Sequence, residues 1–107
     1  MPTKKTSPTQ RTLKVLRADG YLCAIVEHWN PYARIRQDLF GFIDIIALKG
    51  SETLAVQTTA NANNQKARVR KILASPHYQA VKDAGWKIRV DGWRKLKAGW
   101  VSKSIDL

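Results

Sequence analysis

Cysteine, acidic side chains and long apolar runs are all scarce in this sequence. The single cysteine, Cys23, excludes an internal disulfide and favours a reducing compartment, so we expect a cytoplasmic protein in which Cys23 is a small buried hydrophobic residue. No run approaches the roughly 20 apolar residues that span a bilayer. The opening stretch MPTKKTSPTQ contains no apolar segment, so we expect neither a signal peptide nor a membrane partner.

Several familiar kinds of site are missing as well. The sequence has no glycine-rich phosphate loop, no Ser/His/Asp set and no Cys/His zinc pattern, and His28 and His77 lack the spacing of metal ligands. Only 8 acidic residues face 19 lysines and arginines, which gives a net charge of +11. That charge favours a polyanion partner, with nucleic acid, and DNA above all, as the first expectation. The alternative is a basic protein without such a partner.

The chain is long enough for one hydrophobic core. With 107 residues, 44% of them hydrophobic, it is expected to form a single domain over residues 1–107, with residues 1–6 as a disordered arm. Ser7-Pro8-Thr9-Gln10 is a capping box that predicts a helix over about 8–18, with Leu13 and Leu16 facing inward. Patterning predicts the other elements: strands at 21–29, 40–48, 53–59 and 86–90, a polar cap at 61–64 leading into a helix to 73 or 74, a short helix over 75–85 and an optional last strand over 100–107.

This element order predicts an α/β (α+β) fold with a mixed sheet flanked by helices. Three consecutive strands imply antiparallel hairpins, whereas the helical crossover lets the fourth strand lie parallel to a neighbour. We expect the 86–90 strand beside the first or the second strand. In the helix before it, Val69, Ile72 and Leu73 have the spacing of core residues.

One aspartate interrupts the apolar stretch GFIDIIAL at residues 41–48. A carboxylate taken out of water is destabilising unless it is paired or holds a metal. The turn near Gly50 pairs Asp44 with about 56–57, so Gln57 is an expected neighbour, and both offer oxygen ligands to a hard cation. Glu27 on the first strand adds a second carboxylate.

Each of these residues also has a plain structural alternative. Asp44 pairs with Arg34 or Arg36 in that case, Glu27 forms an ordinary ion pair, and Gln57 is only a cross-strand hydrogen bonder. Asp38, six residues before Asp44, is either a further metal ligand or the cap of a turn.

The element order and the stretch RQDLFGFIDIIAL…LAVQTT resemble the PD-(D/E)XK nuclease superfamily, in particular small archaeal-type Holliday-junction resolvases and short phage and bacterial proteins assigned to that fold. The resemblance covers residues 8–91. It implies a restriction-endonuclease-like core, an endonuclease that hydrolyses DNA phosphodiesters, branched junctions included, with Mg²⁺ or Mn²⁺, and a homodimer. On this resemblance Asp44 is the aspartate of the motif, and Gln57-Thr58-Thr59 occupies the (D/E)-x-K triplet.

The triplet departs from the family at two positions. Gln57 replaces an acid, and Thr59 replaces the lysine that orients or activates the attacking water and offsets charge in the transition state. Lys66 is the first candidate to supply the missing charge. The family also carries an acidic ligand on its first helix, where this chain has Gln10, so Glu27 is the candidate replacement.

Basic residues in three segments are candidates for nucleic-acid contacts. Phosphate contacts are expected from side chains such as these: Arg34 and Arg36 in the loop, Arg68, Arg70 and Lys71 on the following helix, and Arg94 and Lys95 near the end. Trp93 and Trp100 interleave with Lys97 in a pattern that suits stacking on unpaired bases, although tryptophans are also core residues.

Binding without catalysis is the alternative function. One form is a degenerate nuclease that keeps only its basic DNA-binding surface. Another is a double-stranded-RNA-binding fold, which also begins α-β-β-β-α. A structural or inhibitory phage protein is a third class.

Overall fold

The structure, a computed structural model, describes residues 7–60 and 62–107, with only the backbone of residues 62 and 63. The arm predicted at residues 1–6 and the start of the predicted polar cap lie outside the described residues. In chain order the elements are α1 (Pro8–Ala18), β1 (Leu22–Ile25), β2 (His28–Asn30), β3 (Ile35–Gln37), β4 (Ile45–Lys49), β5 (Glu52–Thr59), α2 (Ala62–Leu73), α3 (Tyr78–Asp83), β6 (Lys87–Leu96) and β7 (Gly99–Asp106).

The main sheet has five strands in the order β1-β4-β5-β6-β7. Adjacent strands in this sheet are antiparallel, except for β5 and β6, which are parallel. The expected mixed sheet of an α+β fold is therefore confirmed. The predicted hairpin of the second and third strands is confirmed as β4–β5. The expected place of the 86–90 strand is wrong, because β4 already lies between β1 and β5, and the free edge of β5 receives β6 after the helical crossover.

Two of the predicted strands are shorter than expected. The 21–29 segment divides into β1 and β2, and β2 pairs with β3 in a separate antiparallel hairpin. The 40–48 strand begins only at Ile45, because the preceding residues form a tight turn with left-handed φ angles of 54° at Phe40 and 85° at Gly41. Asp44 therefore lies directly before β4 and not inside a continuous strand.

The core consists of two clusters on opposite faces of the sheet. On the α1 face, Leu13 and Leu16 pack against strand residues that include Ile45 and Val56, as predicted. On the other face, Ile72 of α2 packs against strand and α3 residues. Leu73 is expected in the core but is 51% exposed. It follows the buried Ile72 directly, and successive side chains point about 100° apart around a helix.

Two smaller expectations are settled by this architecture. Ser7 caps α1 as predicted, since its Oγ accepts the N–H of Gln10 at 3.2 Å. Cys23 is half-buried and not fully buried, because β1 is the edge strand of the sheet, and its partial burial raises the pKa of the thiol. Within residues 7–60 and 62–107, no helix is both long and apolar enough to cross a bilayer.

Candidate metal centre

Three carboxylates converge where the β2–β3 hairpin joins the main sheet. Glu27, Asp38 and Asp44 each offer one oxygen, and these oxygens lie within 4.8 Å of one another. Glu27 directly precedes β2 and Asp38 directly follows β3, so the pairing of His28 with Gln37 brings the two acids together at the base of the hairpin. Val26, next to Glu27, donates its backbone N–H to Asp44 O at 2.9 Å, and this hydrogen bond brings Asp44 close to the other two acids.

Asp44 is held in place by neighbours from two other elements. Its Oδ2 accepts the backbone N–H of Thr58 at 2.8 Å and the Thr58 hydroxyl at 3.3 Å. The Thr58 hydroxyl in turn lies 3.0 Å from the hydroxyl of Thr9 on α1. The end of β5 and the first turn of α1 therefore orient this carboxylate, which is only 5% exposed.

Asp44 has no cationic partner in the described part of the chain. Among the described residues it forms no ion pair, since Arg36 contacts Glu27 instead, with Nη1 3.2 Å from Oε1. The expected alternative, an ion pair of Asp44 with Arg34 or Arg36, is therefore wrong. Glu27 does form an ion pair with Arg36, and it also offers an oxygen to the carboxylate cluster. Burial first, then a hydrogen bond with Asp38 and the negative charges of Asp38 and Glu27, raises the pKa of Asp44 to about 8, against the opposing effect of the Thr58 N–H.

Gln57 lies beside the carboxylates, as the predicted register requires. Ile45 pairs with Val56, which places Asp44 and Gln57 next in the same ladder. Gln57 is 2% exposed, and its Nε2 donates to Asp38 Oδ2 at 3.3 Å. In the part of the chain that the structure describes, its Oε1 has no hydrogen-bond partner. An unsatisfied buried oxygen costs about 1–3 kcal/mol, so this atom is available to a ligand at the centre.

The carboxylates lie in an open cleft of about 540 Å³ with cations at its rim. Arg36 comes from β3, whereas Arg68 and Lys71 come from α2. Asn64, Arg68 and Lys71 share one side of α2, because residues four and seven apart are neighbours on a helix surface. A negative floor beneath positive side chains suits a metal ion together with an anionic ligand.

Two other basic residues of α2 that the sequence predicts as functional lie away from the cleft. Lys66 and Arg70 are exposed, and neither is among the described residues that line the cleft. Lys66 is about 200° around the helix from Arg68, so the choice of Lys66 to replace the family's lysine is not supported by its position. A helical wheel anchored on Asn64 would have selected Arg68 and Lys71. Thr59 is buried at the end of β5 and lines the cleft.

The remaining predicted residues lie outside the cleft. Arg34 is exposed in the turn between β2 and β3. Trp93 is a core residue whose Nε1 donates to Thr12 Oγ1 at 2.8 Å. Arg94 and Lys95 are exposed on the part of β6 that extends past Gly92, the last residue paired with β5.

No protein-family model matches this sequence, and no curated protein matches it either. The resemblance to the PD-(D/E)XK superfamily therefore depends on the order of elements and on the positions of Asp44 and Gln57-Thr58-Thr59.

Proposed function

We propose that the protein binds Mg²⁺ or Mn²⁺ and hydrolyses phosphodiester bonds in DNA. The observation that supports this best is the combination of three converging carboxylates with a Gln57 oxygen that has no partner among the described residues, beneath a cationic rim. Phosphodiesters are anionic and are cleaved at metal centres of this kind. A chain with a net charge of +11 is suited to such a substrate.

The donor set fits a hard divalent cation. Mg²⁺ takes carboxylate, carbonyl and water oxygens at about 2.1 Å, so oxygens on opposite sides of an ideal site lie about 4 Å apart. The three carboxylate oxygens already lie within 4.8 Å of one another. When it is ionised, Asp44 has no cationic partner among the described residues, and a divalent ion would supply one. The ion would also give a partner to Gln57 Oε1, which has none in the described part of the chain.

Each side chain then has a definite role. Asp44, Asp38, Glu27 and Gln57 hold the metal, which when bound would lower the pKa of water and stabilise charge on the phosphate. Thr58 fixes the direction of the Asp44 carboxylate. Arg68 and Lys71 bind the substrate's phosphates and offset negative charge, which the lysine of the family would do at the position of Thr59.

The fold supports the same proposal. α1, the β1, β4 and β5 strands, α2 and β6 follow the order of the superfamily core, with β2–β3 as an additional hairpin. Asp44 directly precedes the second strand of the main sheet, and Gln57-Thr58-Thr59 ends the third. We therefore propose a restriction-endonuclease-like core.

Thr59 favours a second candidate function, which is DNA binding without catalysis. It is buried at the position of the family's lysine and carries no charge. Arg68 and Lys71 lie at the rim and approach from a different element, so they need not reproduce that lysine's contact with the attacking water. A double-stranded-RNA-binding fold is less favoured, since it has no need for three converging carboxylates.

Cleavage assays separate the two candidates. Wild-type protein is incubated with branched, duplex and single-stranded DNA in Mg²⁺, Mn²⁺ or EDTA, beside Asp44→Asn and a control, Asp83→Asn, which alters an exposed acid on α3. The nuclease proposal predicts metal-dependent cleavage that falls about a hundredfold or more in Asp44→Asn but not in the control. Binding without cleavage under every condition supports the second candidate.

A further inference from the structure

The β2–β3 hairpin carries two large aromatic side chains into solvent. Trp29 is 57% exposed and Tyr32 is 98% exposed. Arg34 and Arg36 lie on the same short hairpin, and both are exposed. Aromatic rings and cations grouped together on a small projecting element form a typical surface for single-stranded nucleic acid.

This hairpin is joined directly to the candidate metal centre. Glu27 precedes its first strand and Asp38 follows its second, so two of the three carboxylates form its base. Trp29 pairs with Arg36 in the ladder, and directly opposed residues point to the same face of a hairpin. Arg36 lines the cleft, so Trp29 shares a face of the hairpin with a residue that reaches the carboxylates.

The tip of the hairpin is ordered by its own hydrogen bonds. The Asn30 side-chain oxygen accepts the backbone N–H of Tyr32 at 3.0 Å and that of Ala33 at 3.1 Å. The Asn30 amide nitrogen donates to Gln37 Oε1 at 3.3 Å. This Asx turn fixes the backbone that presents Tyr32, so less entropy is lost when a ligand contacts the ring.

We propose that Trp29 and Tyr32 stack on unpaired nucleobases next to the phosphodiester in the cleft. The inference depends on the proposed function and narrows its substrate to DNA with unpaired nucleotides beside the scissile bond. Stacking needs an open base face, which a continuous duplex does not offer, whereas Arg34 and Arg36 are placed for the backbone phosphates. A second copy of the chain is a poorer occupant, since each copy carries +11 and would bring like charges to this face.

Binding assays in Ca²⁺, used in place of Mg²⁺ to limit cleavage, test the inference. The probes are a fully paired duplex and the same duplex with a single-stranded gap that contains 2-aminopurine. We expect tighter binding to the gapped DNA, with the 2-aminopurine fluorescence quenched. Trp29→Ala and Tyr32→Ala should each weaken binding to gapped DNA about tenfold, restore the fluorescence and leave duplex binding unchanged. Tyr32→Phe, which keeps the ring, should behave as the wild type does.

Leu22→Ala is the matched control, since it removes an exposed apolar side chain from the edge strand β1, away from the hairpin. Equal losses on both DNAs, or none on gapped DNA, would overturn the inference. So would alanine variants that change only the oligomeric state in size-exclusion chromatography, or tighter binding to gapped RNA than to gapped DNA. If no cleavage occurs in either Mg²⁺ or Mn²⁺ but the ring-dependent preference for gapped DNA persists, the hydrolysis proposal fails and the stacking inference stands. If cleavage occurs and neither Trp29→Ala nor Tyr32→Ala changes it or the binding of gapped DNA, the hydrolysis proposal stands and the stacking inference fails.

Discussion

At the scale of single residues, Asp44 makes the stability of the metal-free protein depend on pH. Its folded pKa of about 8 lies above the ordinary 3.8, so between these values the folded protein keeps a proton that the unfolded chain releases. We therefore expect the free energy of unfolding, measured by urea titration in EDTA, to fall as the pH rises from about 4 to about 8. Asp44→Asn should flatten this dependence, whereas Asp83→Asn should not. A steep fall that persists in Asp44→Asn would assign the effect to another group.

Residue-level reasoning from sequence succeeded where a ladder determines position. Counting from Gly50 placed Gln57 opposite Asp44, and the register of β4 with β5 confirms it. Asp38 joins the centre through a separate hairpin and a turn, which no strand periodicity reveals. The position of Lys66 does not favour it as the substitute for the family's lysine, because helix phase puts it on a different side of α2 from Arg68 and Lys71, which line the cleft.

At the scale of elements, the contact between α2 and β6 holds the cationic rim in place. Gln65 of α2 donates from Nε2 to Val90 O at 3.0 Å and to Lys103 O at 2.6 Å. A Cβ on the buried Gly92 would lie 2.9 Å from the Gln65 side chain, so Gly92→Ala overpacks this contact. We expect a loss of about 1–3 kcal/mol in guanidinium unfolding. Gly50→Ala is unsuitable as a control, because the positive φ at Gly50 would itself strain an alanine. Ala24→Gly on β1 is the control instead, because it alters a strand position remote from this contact.

An unchanged midpoint for Gly92→Ala would show that Gln65 is free to move aside.

The strands also show where apolar patterning stops predicting the structure. Segments 21–29 and 40–48 are apolar enough for single strands, yet each contains a change of direction. The second depends on a left-handed phenylalanine at Phe40, which side-chain polarity does not predict.

At the scale of the whole molecule, the charge of +11 predicts strong salt dependence of DNA binding. For about six neutralised phosphates, affinity should fall about 10³-fold between 50 and 200 mM salt. Replacing Arg68 and Lys71 together by Gln should reduce the log–log slope by about 1.8. The charge-matched control, Arg17→Gln with Lys49→Gln, alters the opposite end of α1 and the far end of β4. If fluorescence anisotropy shows the same slope for rim and control pairs, the main contact surface is elsewhere, with Arg94, Lys95 and Lys97 as the next candidates.

The metal centre itself is tested most directly by thermal melts of the wild type and Asp44→Asn in EDTA, Mg²⁺ and Mn²⁺. Without metal, the Asp44 carboxyl already holds a proton below about pH 8, so there Asp44→Asn should be about as stable as the wild type. Above that pH the substitution also removes like-charge repulsion, so the variant should be more stable. Metal should stabilise the wild type by about 2.7 kcal/mol at a hundred times its Kd, and leave the variant unchanged. If Asp44→Asn is destabilised equally with and without metal, or if metal stabilises both proteins alike, Asp44 is not a ligand and the metal centre proposed here does not exist.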